Sequence, residues 1–305
     1  MRFRFIAAEK ANYPVRVLCR CLRVSRSGFY AWAHRGPSER VRQDARLIAQ
    51  LRLAHADSRQ TYGRPRLCRA LRARGIAVSG KRVARLMRVA GLRARGRRRF
   101  VVTTDSRHHC AIAPNRLQRR FQPRRLNRVW AADITACRLQ HGWCYLAVVL
   151  DLASRRVIGW AVQRTPTPDL VIAALRPALP RVPQRPTLLH HSDRGIQYAS
   201  DRFRALLARH HIMASMSRTG DCWDNAPVES FFSSFKAEAS PDHPWLDLRG
   251  AAAAIGEYVD FYNHRRLHST LNYQTPVAFE ARMARADDKN PCPKKRDIPT
   301  IPRVH

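Results

Sequence analysis

Between residues 127 and 165 the chain carries three β-type runs, "NRVWAADITACRL", "WCYLAVVLDLAS" and "RRVIGWAVQRT", joined by turns as short as His141-Gly142 and Ser154-Arg155. Strands this close together pair as an antiparallel meander, because a parallel crossover needs a dozen or more residues. After the meander the pattern alternates. A helix over "TPDLVIAALRPAL" leads to the strand "PTLLHHSD", the helix "SDRFRALLARHH" leads to the short strand "IMASMS", and "DCWDNAPVESFFSSFKAEAS" reads as a last helix with Pro227 in its first turn. The order βββαβαβα predicts an α/β domain with a mixed five-stranded sheet and flanking helices.

Three carboxylates break the apolar surfaces of this pattern. Asp133 lies inside the first strand, Asp193 at the carboxyl end of the fourth, and Glu229 at the start of the helix after the fifth. An ionised aspartate is costly to bury alone, so three brought together imply positive charge between them. Hard oxygen donors match Mg²⁺ or Mn²⁺, and two such ions in one site suit phosphoryl transfer. Each residue singly is an ordinary strand-end or capping residue. Their order and spacing carry the case: 59 residues lie between the two aspartates and 35 between Asp193 and Glu229.

The formal net charge of +35 far exceeds what solubility requires and calls for a polyanionic partner, with nucleic acid the default. Residues 1–126 hold 33 Lys and Arg against 5 Asp and Glu, whereas residues 127–305 hold 24 against 17. Within the basic part, residues 14–35 read as a helix-turn-helix. Val15, Leu18 and Leu22 keep helical spacing, Ser25 or Ser27 caps the second helix, and Phe29, Tyr30 and Trp32 follow. Helices at 45–56, 64–75 and 79–92, with Ser79 as a cap and Gly75 and Gly91 at helix ends, suggest a three-helix DNA-binding module. The expected divisions are a helix-turn-helix segment (1–42), a helical DNA-binding domain (43–95), a basic linker (96–126) that includes Arg97, Arg98 and Arg99 as DNA contacts, a catalytic core (127–240) and a C-terminal helical extension (241–305). Eight scattered cysteines without zinc-ligand spacing read as reduced thiols of a cytoplasmic protein. The longest apolar run, "WCYLAVVL", is too short to cross a bilayer, so no membrane partner is expected.

The stretches "VWAADIT", "HSDRGIQYAS", "DNAPVESFFSSFK" and, at 262–280, "YNHRRLHSTLNYQTPVAFE" resemble the DDE transposases of bacterial insertion sequences, specifically the insertion-sequence-three family, whose catalytic core is similar to retroviral integrase. The resemblance covers nearly the whole chain. It implies an RNase H-like fold, a catalytic and metal-binding triad of Asp133, Asp193 and Glu229, and Mg²⁺- or Mn²⁺-dependent DNA cleavage and strand transfer without a covalent protein–DNA intermediate. The implied partners are the element's terminal inverted repeats, target DNA, further copies of the chain, and the product of an upstream reading frame acting as a fusion or a bound subunit. Lys236 stands seven residues beyond Glu229, about two helical turns, on the same face, and is expected to hold a DNA phosphate, the other reading being a solvated surface lysine. Period-2 alternation turns His191 to the side of Asp193, as support for the site or as a satisfied core histidine. Asn225 belongs to the site or is only a cap of the last helix, a cap that Asp224 could equally supply, and Asp151 suits a turn better than a place beside Asp133. "YNHRRLH" reads as a helix end, either on DNA or packed beneath the core.

Two other classes share parts of this pattern. A non-catalytic DNA-binding regulator would account for the basic half, yet not for three carboxylates at these stations. A tyrosine recombinase would need a nucleophilic tyrosine after the His/Arg cluster at 264–268, and only Tyr273 is near, inside the stretch that matches the transposases.

Overall fold

A computed structural model describes residues 1–95, 112–183, 188–218, 222–239 and 244–289. The chain opens with α1 (Arg2–Glu9), α2 (Val15–Cys21) and α3 (Arg26–His34), which close around Ile6, Leu18, Cys19 and Phe29. Arg23, at φ 50°, makes the break between α2 and α3, and the Ser25 hydroxyl caps α3 by accepting from the Gly28 amide at 3.0 Å. Next come α4 (Glu39–Asp57), α5 (Arg64–Ala73) and α6 (Gly80–Val89), which share a core of Leu47, Leu51, Leu67, Leu71, Val83 and Leu86. Ser38 and Ser79 cap α4 and α6, while Gly75 and Gly91 follow α5 and α6 with positive φ. Helix α4 starts six residues earlier than its apolar spacing suggests, because the Ser38 cap carries it across the polar stretch before Ala45.

The second half holds β1 (Val129–Arg138), β2 (Trp143–Asp151), β3 (Val157–Gln163), α7 (Pro168–Leu175), β4 (Leu188–Ser192), α8 (Ile196–Ala199), α9 (Asp201–Arg209), β5 (Ile212–Met216), α10 (Ala226–Glu238), α11 (Leu248–His264) and α12 (Pro276–Lys289). The sheet order is β3-β2-β1-β4-β5. The first three strands form the antiparallel meander, and β4 and β5 are added parallel to β1. Alternation gives the sheet two apolar faces. Ala131, Leu146 and Val148 pack with Phe231, Phe232, Phe235, Ile255 and Tyr258 of α10 and α11, whereas Trp130, Ala147 and Val149 pack with α7, α8 and α9. Gly159 of β3 has no room for a Cβ, because the Ala174 carbonyl of α7 lies directly against it. This is the mixed five-stranded sheet with flanking helices, preceded by an all-α region, that the sequence pattern predicts.

The described part of the basic stretch before β1 lies on the core. Leu117 is buried, and the amides of Arg116 and Leu117 donate to Ser215 Oγ of β5 at 3.0 and 3.3 Å. The segment "YNHRRLH" is packed too. Tyr62, which follows α4, accepts from the Leu267 amide at 2.7 Å and donates to the Arg265 carbonyl at 3.1 Å, so the α4–α6 module sits against the end of α11.

Candidate active site

The positions of the three carboxylates follow from strand register. β1 and β4 pair Val129 with Leu189 and Ala131 with His191, so two further residues bring Asp193 level with Asp133. Ala131 and Leu189 pack on the face covered by α10, Asp133 follows Ala131 on β1, and Asp193 comes one residue beyond the end of β4. Glu229 enters that face from the first turn of α10. The helix start is fastened to β1 by Asn225, whose Nδ2 donates to the Ala132 carbonyl at 3.1 Å.

Electrostatics agree with this convergence. Asp133 keeps partial access to solvent, yet burial pushes its pKa well above the usual carboxylate range. The negative charges of Asp193 and Glu229 push the same way, against the Ile134 amide and the charge of Lys236. Burial raises Glu229 as well. Each aspartate turns an oxygen to its own backbone: Asp133 Oδ1 accepts from the Ile134 amide at 2.8 Å, and Asp193 Oδ1 from the Gly195 amide at 3.0 Å. Among the described residues no three acidic, histidine or cysteine side chains already stand as preformed metal ligands. These bonds occupy one oxygen of each aspartate and leave the second carboxylate oxygen of each as a candidate metal donor.

The other candidates divide. Lys236 is half-buried and close enough for its charge to act on both Asp133 and Cys137. His191 is fully buried and engages Ser215 Oγ through Nδ1 at 2.9 Å and Ser217 Oγ through Nε2 at 3.3 Å, so it ties β4 to β5. Burial pulls its pKa down to about 4, so the ring is neutral near pH 7. The Asn225 side chain does not cap α10. It is spent on Ala132, and its Oδ1 is buried with no hydrogen-bond partner among the described residues. Asp151 holds a turn, accepting from the amides of Asn127 and Ser154 and from the Ser154 hydroxyl. Arg97, Arg98 and Arg99 lie outside the described residues.

Three groups near the site escaped sequence reasoning. Tyr198 of α8 is buried, its hydroxyl has no hydrogen-bond partner among the described residues, and the charges of Asp133 and Asp193 add to burial in raising its pKa. Asp224 is fully buried. It accepts from the Arg218 amide, from Arg218 Nε and Nη2 at 3.1 and 3.0 Å, from Arg119 Nε at 3.0 Å and from Asn115 Nδ2 at 2.7 Å. The Arg218 side chain is the largest cause holding its carboxyl far below the usual range. At the other end of α10, Glu238 forms a buried bidentate pair with Arg266, both bonds 2.7 Å. The only sequence signal for Asp224 was the Asp-Asn pair before a helix, which is also what a cap looks like.

Comparison with known proteins falls along the same lines. The integrase core domain family matches residues 123–222 and, in a second form, 210–276, and an HTH-like domain family matches residues 42–100. The chain is 40% identical over 265 residues to the insertion element IS600 uncharacterized 31 kDa protein of Shigella sonnei, covering 86% of this chain and 97% of that one. It is 39% identical over 283 residues to transposase InsF for insertion sequence IS3A of Escherichia coli (strain K12), covering 92% and 98%. Among solved structures, the HTLV-2 integrase catalytic core domain in complex with magnesium aligns at 20% identity and a TM-score of 0.40, over 51% of this chain and 97% of that one.

Proposed function

The chain belongs to the transposases of IS3-type insertion sequences, and on that premise we propose that Asp133, Asp193 and Glu229 are the groups with which it cuts and joins DNA. The reaction is DNA transposition, carried out by an integrase-type core behind an HTH-like DNA-binding region. The residue assignment is supported above all by the strand register and the helix start that bring the three carboxylates to one place, and the charges of Asp193 and Glu229, after burial, add to the upward shift at Asp133.

An all-carboxylate donor set fits a hard divalent cation. We assign Mg²⁺ or Mn²⁺ to these three residues, two ions per site. Bound there, the ions supply Lewis-acid activation of the attacking oxygen and neutralise charge on the leaving one. The remaining work falls to the chain itself. Water attacks the phosphodiester at the element's end, and the 3′-oxygen leaves and is protonated. That 3′-hydroxyl then attacks a second phosphodiester and loses its proton. Each displacement replaces one P–O bond with another, so the DNA needs no outside energy source. Lys236, on the face of α10 that carries Glu229, holds a phosphate of the bound strand, and His191 braces β4 beneath Asp193.

The same reading takes residues 1–42 and 43–95 as DNA-binding, 96–126 with Arg97, Arg98 and Arg99 as the basic connection, 127–240 as the catalytic core and 241–305 as its extension. It takes the terminal inverted repeats and target DNA as substrates, with further copies of the chain and an upstream-frame product as partners. Work on chromosomal DNA places the protein in the bacterial cytoplasm, at the nucleoid.

The assignment is tested without turnover by titrating the full chain with Mn²⁺ and following the free ion by electron paramagnetic resonance. The parent protein should bind Mn²⁺ saturably, and Asp133→Asn, Asp193→Asn and Glu229→Gln should each weaken that binding by tenfold or more. Unchanged Mn²⁺ binding in all three variants would contradict it.

A further inference from the structure

Large exposed apolar side chains are few on the catalytic core. Among the described residues of 129–238 they are Trp143, Ile196 and Trp223, and two of these flank the carboxylates. Ile196 follows Asp193 by three residues, and Trp223 precedes Glu229 by six. Trp223 is the most exposed of the three, at 67%. A single exposed apolar side chain is ordinary on a protein surface, but indole is the costliest to leave there.

The backbone that carries Trp223 sets it apart. Residues Cys222–Asn225 form a short 3₁₀ turn that is fastened at two successive side chains. Asp224 is locked by Arg218, Arg119 and Asn115 as described above. Asn225 is bonded to the carbonyl of Ala132, the residue before Asp133. The turn is thereby fixed to the strand that carries the first catalytic aspartate. Trp223 lies two residues before Asn225, which is bonded to the residue next to Asp133, and the guanidinium groups of Arg218 and Arg119, whose side chains are 57% and 45% exposed, lie on the same clamp.

We propose that Trp223 is a base-stacking residue that receives a nucleobase unstacked from the DNA end at the scissile phosphodiester. The inference rests on Asp133, Asp193 and Glu229 being the reacting site. A duplex keeps its bases stacked and its backbone regular, so drawing one phosphodiester out of line into a site set in the face of a sheet is easier when the neighbouring base leaves the stack, at the cost of its stacking energy. An aromatic face held in place offsets the lost stacking for any base, because every base presents a π-surface. Positive charge beside the indole suits the adjoining phosphates. Ile196, on the turn after Asp193, adds an apolar edge on the other side.

The test uses the full-length chain and labelled duplexes of the element's end in Mg²⁺, one fully paired and one mismatched at the pair flanking the cut. Trp223→Ala should cleave the paired duplex about 10- to 100-fold more slowly than the parent, the scale of one lost base–aromatic stack. It should cleave the mismatched duplex within about threefold of the parent, because the opening step is already made. Trp223→Phe should stay within about threefold on both. Parental cleavage of paired DNA by Trp223→Ala, an equal defect on both duplexes, or a Phe variant as slow as the Ala variant would each overturn the proposal. An equal defect on both duplexes is also what a protein-docking role for Trp223 would give. Glu229→Gln run alongside keeps the two readings separate: cleavage by that variant rejects the carboxylate assignment, while the paired-to-mismatched ratio still decides Trp223.

Discussion

Glu238 and Arg266 show how much one pair of residues can hold. Their side chains are 6% and 4% exposed, Tyr258 donates to Glu238 Oε2 at 3.1 Å, and Arg266 Nη2 donates to Ser234 Oγ at 3.0 Å. Removing one partner leaves a buried charge without its counterion. Arg266→Ala should therefore cost about 3–5 kcal/mol in urea unfolding, whereas Glu238→Leu with Arg266→Met should recover most of that loss. Buried histidines set the pH response. Burial pulls His190 down to about 3 and His268 to about 2, against about 6.5 in an unfolded chain. As pH falls below that value the unfolded chain takes up protons that the folded chain refuses, so stability drops, by about 1.4 kcal/mol per pH unit for each histidine. The histidine contribution to the urea midpoint should fall between pH 7 and pH 5, so His268→Gln should show a smaller loss over that range than the parent. Asp224, whose pKa is depressed, contributes in the opposite group's range, with stability that is lost only below about pH 4. Asp133, Asp193 and Glu229 stood out in the sequence because a charge that interrupts an apolar strand or opens an apolar helix is conspicuous. Asp224 and Arg266 did not, since Asp224 meets Asn115 across 109 residues and Arg266 meets Glu238 across 28.

Helix α10 is the element on which the site depends, because it carries Glu229, Lys236 and Glu238 together. It is fixed at its start by Asn225 on Ala132, at its end by Arg266, and between them by Phe231, Phe232 and Phe235 in the core with α11. Phe231→Ala should cost about 3–5 kcal/mol, measured by urea unfolding, because the ring is buried and edge-on to Tyr262 at 4.8 Å. The α4–α6 module meets this assembly through Tyr62. Tyr62→Phe leaves the Leu267 amide without its acceptor and should cost about 1–3 kcal/mol, with faster amide exchange confined to Leu267 and its neighbours. Elements were legible where their signals are local: the strands from alternation, and α3 and α6 from the caps Ser25 and Ser79. Helix α1 was not, because Phe3, Ile6 and Ala7 become an apolar face only once α2 and α3 cover them. Asn225 looked like a cap for the opposite reason, since its true partner is a strand 93 residues away.

Across the whole molecule, charge and chemistry occupy different halves. With 33 basic against 5 acidic residues before position 127, the N-terminal half should supply most of the DNA affinity, and log affinity should fall against log salt by about 0.9 per phosphate neutralised. A chain beginning at residue 112, which keeps Leu117 in the core, should bind element-end DNA weakly and with a shallower salt slope. Equal affinity and slope would show that the core itself carries the binding. This division was legible from composition alone, but the packing of the two halves through Tyr62 was not, because it depends on contacts more than 200 residues apart. The central claim is that Asp133, Asp193 and Glu229 do the chemistry and the basic half does the holding. The most direct measurement is cleavage and joining of labelled element-end DNA in Mg²⁺ by the parent protein and by Glu229→Gln, with DNA binding followed in the same samples. Loss of both reactions by several orders of magnitude with binding unchanged within about threefold is the predicted result. Substantial strand transfer by Glu229→Gln, or equal parental activity in a chelator, would contradict it.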